Sequence, residues 1–200
     1  MKLRHLFYLG LGVAVLAISS LTAQQLLNHQ TATTTINSDN SDNADFSLTQ
    51  NQQTVHLKDF RGKLVLLYFG YASCPDVCPT SLALLGSVLK ALSPAEAAQI
   101  QPMFISVDPA RDHGNQLMDY ARYFYPSFIG LTGTEQEIQL AARQYGAFYS
   151  KVASNSALGY TVDHSSNSYL IGKEGQLLTT FKHDASKADV LAGIRAALNH

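Results

Sequence analysis

Leu64-Val65-Leu66-Leu67-Tyr68-Phe69-Gly70-Tyr71-Ala72-Ser73-Cys74-Pro75-Asp76-Val77-Cys78-Pro79 decides how this chain folds. Its first part, Leu64 to Phe69, is a continuous apolar run, the pattern of a strand buried on both faces. The chain's two cysteines follow at once, on a turn built from Pro75, Asp76 and Pro79. Pro79 is expected to open a helix, because the N–H that proline lacks is unpaired in a first turn anyway. Strand, cysteine turn and helix in direct succession put two thiols beyond the carboxyl end of a buried strand. Open α/β sheets bind their ligands there.

The rest of the chain extends this unit in both directions. Before it, Phe46 and Leu48, then Val55 and Leu57, flank a polar turn at Gln50 to Gln53 and predict a hairpin. After it, Leu82, Leu85, Leu89 and Leu92 recur at helical spacing. Ser93-Pro94-Ala95-Glu96 is a capping box with proline at the first helical position. Met103 to Val107 reads as a second buried strand. Gly114 to Phe124 reads as a helix with Leu117, Tyr120, Ala121 and Phe124 on one face. Thr134 and Glu137 cap a further helix carrying Ile138, Ala141 and Tyr145, and Phe148 to Val152 follows as a short strand. Tyr169 to Ile171 and Leu177 to Phe181 bracket Gly172-Lys173-Glu174-Gly175, the signal of a second hairpin. A last helix from near Ser186 buries Val190, Leu191, Ile194 and Leu198. Strands alternating with helices predict an α/β fold with a parallel or mixed sheet covered on both faces. The closing hairpin and helix make it similar to the thioredoxin type, a central mixed sheet flanked by helices, over residues 46–200.

At 200 residues the chain is long enough for one well-buried domain and a terminal extension. Lys2, Arg4 and His5 precede an uncharged stretch from Leu6 to Leu27, most apolar between Leu6 and Ile18. Two readings of residues 1–27 compete. One is an uncleaved membrane-anchor helix, and the other is a signal segment cleaved after Ala23. Bulky Leu21 weighs against the cleavage site, and the lack of a polar face weighs against a buried soluble helix. Either way the basic start leaves the rest of the chain outside the cytoplasm. Residues 28–45, rich in Thr, Asn, Ser and Asp, read as a flexible linker. The net charge is -1, without a Lys or Arg run. That excludes nucleic acid binding and strong attraction to anionic lipid, both of which need a basic surface.

Two thiols with three residues between them, on a turn entering a helix, can point at one spot. The free N–H groups of a helix N-terminus favour thiolate. Thiolate binds soft metals and also attacks disulfides, so the pair alone supports metal binding and redox exchange about equally. Thioredoxin-type redox enzymes place two residues between their cysteines. The extra residue here eases a two-sulfur grip on one ion without forbidding a Cys74–Cys78 disulfide. A copper ion held by two sulfurs takes imidazole as its usual third donor. Of seven histidines, His5 and His29 fall in the leader and linker, His200 ends the chain, and His56, His113 and His183 sit in polar contexts. His164 differs, in Val162-Asp163-His164-Ser165-Ser166, read as a loop before the strand at Tyr169. In a thioredoxin-type sheet that loop faces the cysteines. Spacing alone does not separate it from an ordinary solvated histidine.

Three segments in order resemble the SCO/SenC family. They are Phe69-Gly70-Tyr71 before Cys74-Pro75-Asp76-Val77-Cys78-Pro79, Ser106-Val107-Asp108-Pro109-Ala110-Arg111-Asp112, and Val162-Asp163-His164-Ser165 followed by Tyr169-Leu170-Ile171-Gly172. Leu57-Lys58-Asp59-Phe60-Arg61-Gly62-Lys63 matches as well, though related thiol proteins share it. The resemblance runs from about Phe46 to the C-terminus. It implies a membrane-tethered, thioredoxin-like copper chaperone, not primarily an enzyme, whose metal ligands are Cys74, Cys78 and His164. It implies Cu(I) in a trigonal site and Cu(II) with an added ligand. The implied partners are the copper-site subunit of cytochrome c oxidase and a copper donor protein or thiol reductant. The implied work is copper delivery to that subunit or reduction of its copper-site cysteines. The domain would lie on the periplasmic side, anchored or, after signal cleavage, secreted there. Asp163 is expected either to orient His164 or simply to form a turn. Asp108, Pro109, Arg111 and Asp112 are expected to fix a loop beside the site through an Arg–carboxylate pair. Ala72-Ser73 stands where many relatives carry threonine-histidine, and His113-Gly114 replaces a threonine-proline helix start.

A thiol–disulfide oxidoreductase on the same fold is the main rival reading, and a redox sensor is another. All six prolines, the last being Pro126, precede the strand at Tyr169. The cis-proline that such oxidoreductases place before that strand is therefore absent from the sequence. A peroxidase needs a lone activated thiolate beside an arginine, which paired cysteines do not favour.

Overall fold

The computed structural model describes residues 45–155 and 159–199. The expected anchor or signal segment at 1–27 and all but the end of the linker at 28–45 lie outside the described residues. Among the described residues no helix is long and apolar enough to cross a membrane.

Strands β1 (Ser47–Gln50) and β2 (Gln53–His56) form the first hairpin. Asn51 and Gln52 turn it with φ of 47 and 68, the left-handed pair that suits a two-residue hairpin loop. Next, β3 (Leu64–Gly70) buries all seven of its residues, as its apolar run requires. Helix α1 (Val77–Ala91) follows, burying Leu82, Leu85, Val88 and Leu89. It begins two residues before the expected start, so Cys78 lies inside its first turn and Pro79 just after it. The short helix α2 (Pro94–Ala97) is closed by the reciprocal Ser93 and Glu96 hydrogen bonds of the expected capping box.

Beyond it run β4 (Ile100–Ser106), α3 (Gly114–Phe124), β5 (Ile129–Leu131) and α4 (Glu135–Gln144), the last capped by Thr134 and Glu137. The chain then forms β6 (Tyr149–Ala153), β7 (Tyr160–His164), β8 (Ser168–Ile171), β9 (Leu177–Phe181) and α5 (Lys187–Leu198). Three elements differ from the sequence expectation. Leu57, expected in the first hairpin, instead begins a 3-10 turn over Leu57–Phe60. The three-residue β5 was not anticipated. The segment ending in His164 is a strand, β7, where a loop was expected.

The central sheet has the order β5-β4-β3-β8-β9. β3, β4 and β5 are parallel, while β8 and β9 run antiparallel to their neighbours. This is the mixed sheet expected of a thioredoxin-like fold. Helix α1 packs against α3 and α5. β6 and β7 form a separate two-stranded ribbon. Gly70 at the end of β3 pairs with Ser106 at the end of β4, and Tyr68 pairs with Ser168 at the start of β8. One edge of the sheet therefore gathers the exit of β3, the exit of β4 and the entry to β8.

Helix α1 meets α3 at Gly86, where an added Cβ would lie 2.5 Å from the Phe124 carbonyl oxygen. A backbone atom cannot rotate aside. Gly86→Ala is expected to destabilise the domain by about 1–3 kcal/mol. Urea unfolding should show a lower midpoint at unchanged m-value.

Candidate metal centre

Gly70 is the last residue of β3 and the floor under one sulfur. An added Cβ there would meet Cys78 Sγ at 2.7 Å and the rings of Tyr68 and Phe104 at 3.0 and 3.1 Å. The glycine lets the first turn of α1 come down onto the sheet. The intervening turn is pinned from the side. The Ala72 N–H donates to Asp112 Oδ2 at 2.7 Å, and the Cys74 N–H donates to the Tyr71 carbonyl at 3.2 Å. Cys78 is fully buried, while Cys74 is half-buried at the mouth of a cleft that Tyr71, Asp76, Val162 and His164 also line.

His164 enters from the ribbon. It ends β7, opposite Tyr149 of β6, and the Ser165 N–H continues the pairing by donating to the Phe148 carbonyl at 2.8 Å. Its ring stands edge-on to Tyr68 and Tyr71, with centroids 6.1 and 5.9 Å away. Nδ1 lies 3.0 Å from the Ser165 carbonyl and Nε2 lies 3.1 Å from Cys78 Sγ. A carbonyl only accepts, so Nδ1 carries a proton and donates it there, which leaves Nε2 aimed at the cysteines. The ligand atoms of Cys74, Cys78 and His164 all lie within 4.8 Å of one another. Among the described residues this is the one group of three or more His, Cys, Asp or Glu side chains placed to hold an ion.

The two sulfurs share one proton. The hydrogen bond from Cys78 is the main cause that pushes the Cys74 thiol down from 9.0 to about 3, against the effect of burial. His164 and the backbone N–H groups of Asp76 and Cys78, at the start of α1, add to the lowering. Cys78 moves the opposite way, raised by its bond to Cys74 and then by burial. The two shifts put negative charge on Cys74 in preference to Cys78. Below them, burial raises the Tyr68 hydroxyl.

The Asp108–Asp112 segment does what the sequence suggested, and more. Asp108 is fully buried and paired with Arg111. Asp112 accepts from Ser106 Oγ at 2.7 Å as well as from Ala72, and burial raises its carboxyl. The orienting bond expected from Asp163 is made by the Ser165 carbonyl instead, because Asp163 is exposed at the cleft rim and neighbouring strand residues point to opposite faces. Backbone carbonyls leave no trace in a residue pattern, so nothing in the sequence marked Ser165 for this role. Tyr71 was quoted in the family motif without a role, and Tyr160 was not singled out. Their tie to the site is a matter of three-dimensional contact, and the phenol-bearing residues of this chain are too many for composition to single them out. His56 lies elsewhere, 2.6 Å from Ser47 Oγ, and His113 precedes α3.

The SCO1/SenC family profile matches residues 34–199. The chain belongs to the SCO1/SenC family. It is 37% identical over 186 residues to an SCO2-like protein of Rickettsia felis, covering 92% of this chain and 89% of that one. Its fold matches Arabidopsis thaliana ScoI, solved with copper bound, with a TM-score of 0.72 at 33% identity over 78% of this chain and 98% of the other. It also matches BsSco, described as carrying a disulfide switch and as a member of the Sco family of cytochrome c oxidase assembly proteins. There the TM-score is 0.61 at 25% identity, over 79% of this chain and 94% of that one. In this SCO1/SenC chain the converging donors are two sulfurs and one imidazole nitrogen. These are soft and borderline ligands of the kind that select copper over hard cations.

Two outcomes follow from this geometry. Cys74 should stay ionised as pH falls from 9.0 toward about 3. Iodoacetamide should therefore modify Cys74 ahead of Cys78 in mildly acidic buffer, as peptide mass mapping would show. Gly70→Ala should displace Cys78 Sγ and weaken copper binding by roughly tenfold or more, measured against a colorimetric Cu(I) chelator.

Proposed function

We propose that this chain is a copper-holding assembly factor of the cell envelope, with Cys74, Cys78 and His164 as the ligands and copper as cargo. The observation that carries the reading is the convergence of these three ligand atoms, with His164 Nε2 turned toward Cys78 Sγ. The related ScoI binds copper on the same fold, which supports the assignment.

The residues divide the work of accepting the ion. Cys74 offers a ready thiolate at the cleft mouth, where an incoming donor protein can reach it. Cys78 gives up the shared proton on binding, because only thiolate ligates. His164 closes the set. Oxidation of Cys74 and Cys78 to a disulfide removes two of the three donors, so the thiol state gates retention of the cargo. The recipient we propose is the copper-site subunit of cytochrome c oxidase, since BsSco is described among the assembly proteins of that enzyme. The 1–27 segment would tether the domain on the periplasmic face.

A second reading has its own observation. The Cys74 thiolate beside a protonated Cys78 also suits reduction of that subunit's cysteines. Cys74 would attack a partner disulfide and expel one partner thiolate. Cys78, once deprotonated, would attack the mixed disulfide, releasing the second partner thiol and leaving Cys74 and Cys78 oxidised. Two electrons pass to the partner, and the partner disulfide becomes two thiols.

A Cu(I) competition titration of reduced protein tests the main reading. It should give one ion per chain, with loss of roughly tenfold or more in affinity for Cys74→Ser, Cys78→Ser and His164→Ala. Wild-type affinity in His164→Ala would remove that residue from the ligand set. Because one sulfur is already ionised, calorimetry in buffers of different ionisation enthalpy at pH about 8 should count close to one proton released per ion, and not two. Rapid reduction of insulin without copper affinity would favour the second reading.

A further inference from the structure

His164 reaches the cysteines on an arm. The β6–β7 ribbon pairs with no strand of the central sheet, and Lys151, Val152, Ala153 and Asp163 along it are exposed. Such a thinly packed element opens more easily than the sheet. Val162 at its middle is buried in the core, and the polar and ring contacts that fasten β7 to the domain body centre on Tyr160, the first residue of β7. The Tyr160 hydroxyl donates to Asp108 Oδ1 at 2.7 Å. The Arg111 guanidinium pairs with Asp108 through Nε, and its Nη1 donates to the Tyr160 carbonyl at 3.2 Å. The guanidinium carbon lies 3.9 Å from the Tyr160 ring centroid and 5.7 Å from that of Tyr71. Tyr71, in turn, stands edge-on to His164. Arg111 is thus held between a ring of the histidine arm and a ring of the cysteine turn. The other ion pair of the ribbon, Lys151 to Glu135, is solvent-exposed, and pairs of that kind contribute little.

We propose that Tyr160, held by Asp108 and Arg111, is the latch that keeps His164 at the cysteines, and that its release sets the rate at which copper leaves. This rests on the reading of Cys74, Cys78 and His164 as copper ligands. With the latch closed, the ion has three donors. With it open, the arm carries His164 away, and the ion stays on Cys74 and Cys78 with a coordination position open to a sulfur or imidazole of an acceptor. No bond in the cysteine turn has to break, because Asp112 holds that turn independently through Ala72. Tyr160, Asp108 and Arg111 are positioning residues. None contributes a ligand atom.

The test follows Cu(I) release from the full chain to excess colorimetric chelator. Tyr160→Ala removes both the ring and the hydroxyl and should accelerate release roughly tenfold. Tyr160→Phe keeps the ring against Arg111 and should give a smaller acceleration, which keeps the test decisive if the alanine variant folds poorly. His164→Ala should accelerate release on its own. Adding either Tyr160 change to His164→Ala should produce no further acceleration, since the latch acts only through that histidine. Release at the wild-type rate in both Tyr160 variants overturns the latch while leaving the ligand reading intact. So does a full multiplicative effect in the His164→Ala background, which would show general loosening of the cysteine turn. An unchanged rate in His164→Ala alone instead overturns the ligand reading and the latch with it.

Discussion

The full burial of β3 is the constraint from which the site follows. All seven of its residues are covered, between β4 on one side and β8 on the other. A slip of one position would turn every side chain to the opposite face, so the register with both neighbours is strongly held. That places Gly70 at a defined point on the edge, directly under Cys78. It also fixes where β4 ends at Ser106 and where β8 begins at Ser168. The segments that follow β3, that follow β4 and that precede β8 are the three that build and brace the metal centre.

Chemistry at that edge is set by how one proton is distributed. Cys78 is buried against the sheet, and Cys74 sits half-exposed over the first N–H groups of α1. The hydrogen bond between the two sulfurs is the main cause of the charge resting on Cys74, and burial at the inner sulfur and the helix start at the outer one act in the same sense. The accessible sulfur is therefore the reactive one. The same asymmetry serves metal uptake and disulfide chemistry, because both begin with a thiolate that a partner can reach. His164 adds to it by presenting Nε2 to the buried sulfur at 3.1 Å.

Local signals in the sequence transferred well. The apolar run of β3, the capping boxes at Ser93–Glu96 and Thr134–Glu137, and the hairpin around Asn51 are short-range patterns with short-range causes, and each appears where it was read. The β7 strand was not legible. Only Val162 along it is buried, and its partner β6 is mostly exposed, so the alternation that betrays a half-buried strand is nearly absent. The link between His164 and the cysteines spans 86 residues. Periodicity carries no information over that range, and it was the family resemblance that singled this histidine out. An Arg–carboxylate pair in the Asp108–Asp112 segment was expected once the family resemblance had marked that segment, and Asp108 and Arg111 make it. The pair's contact with Tyr160 was not legible, because it depends on where the ribbon folds back.

The division of the ligands between two kinds of support has a physical logic. A carrier must hold its ion tightly enough to exclude loss and loosely enough to hand it on, and one rigid cage serves only the first need. Here the two sulfurs belong to the rigid part, where Gly70, Asp112 and the first turn of α1 fix them against the sheet. The imidazole belongs to the ribbon, whose attachment is one buried side chain, Val162, and a handful of polar and ring contacts. Buried apolar area resists opening in proportion to its size. Polar contacts at a surface exchange with water at small net cost. In the proposed reading, the donor mounted on the ribbon is the one that would leave first, and the two sulfurs would keep the ion while an acceptor takes the vacated position.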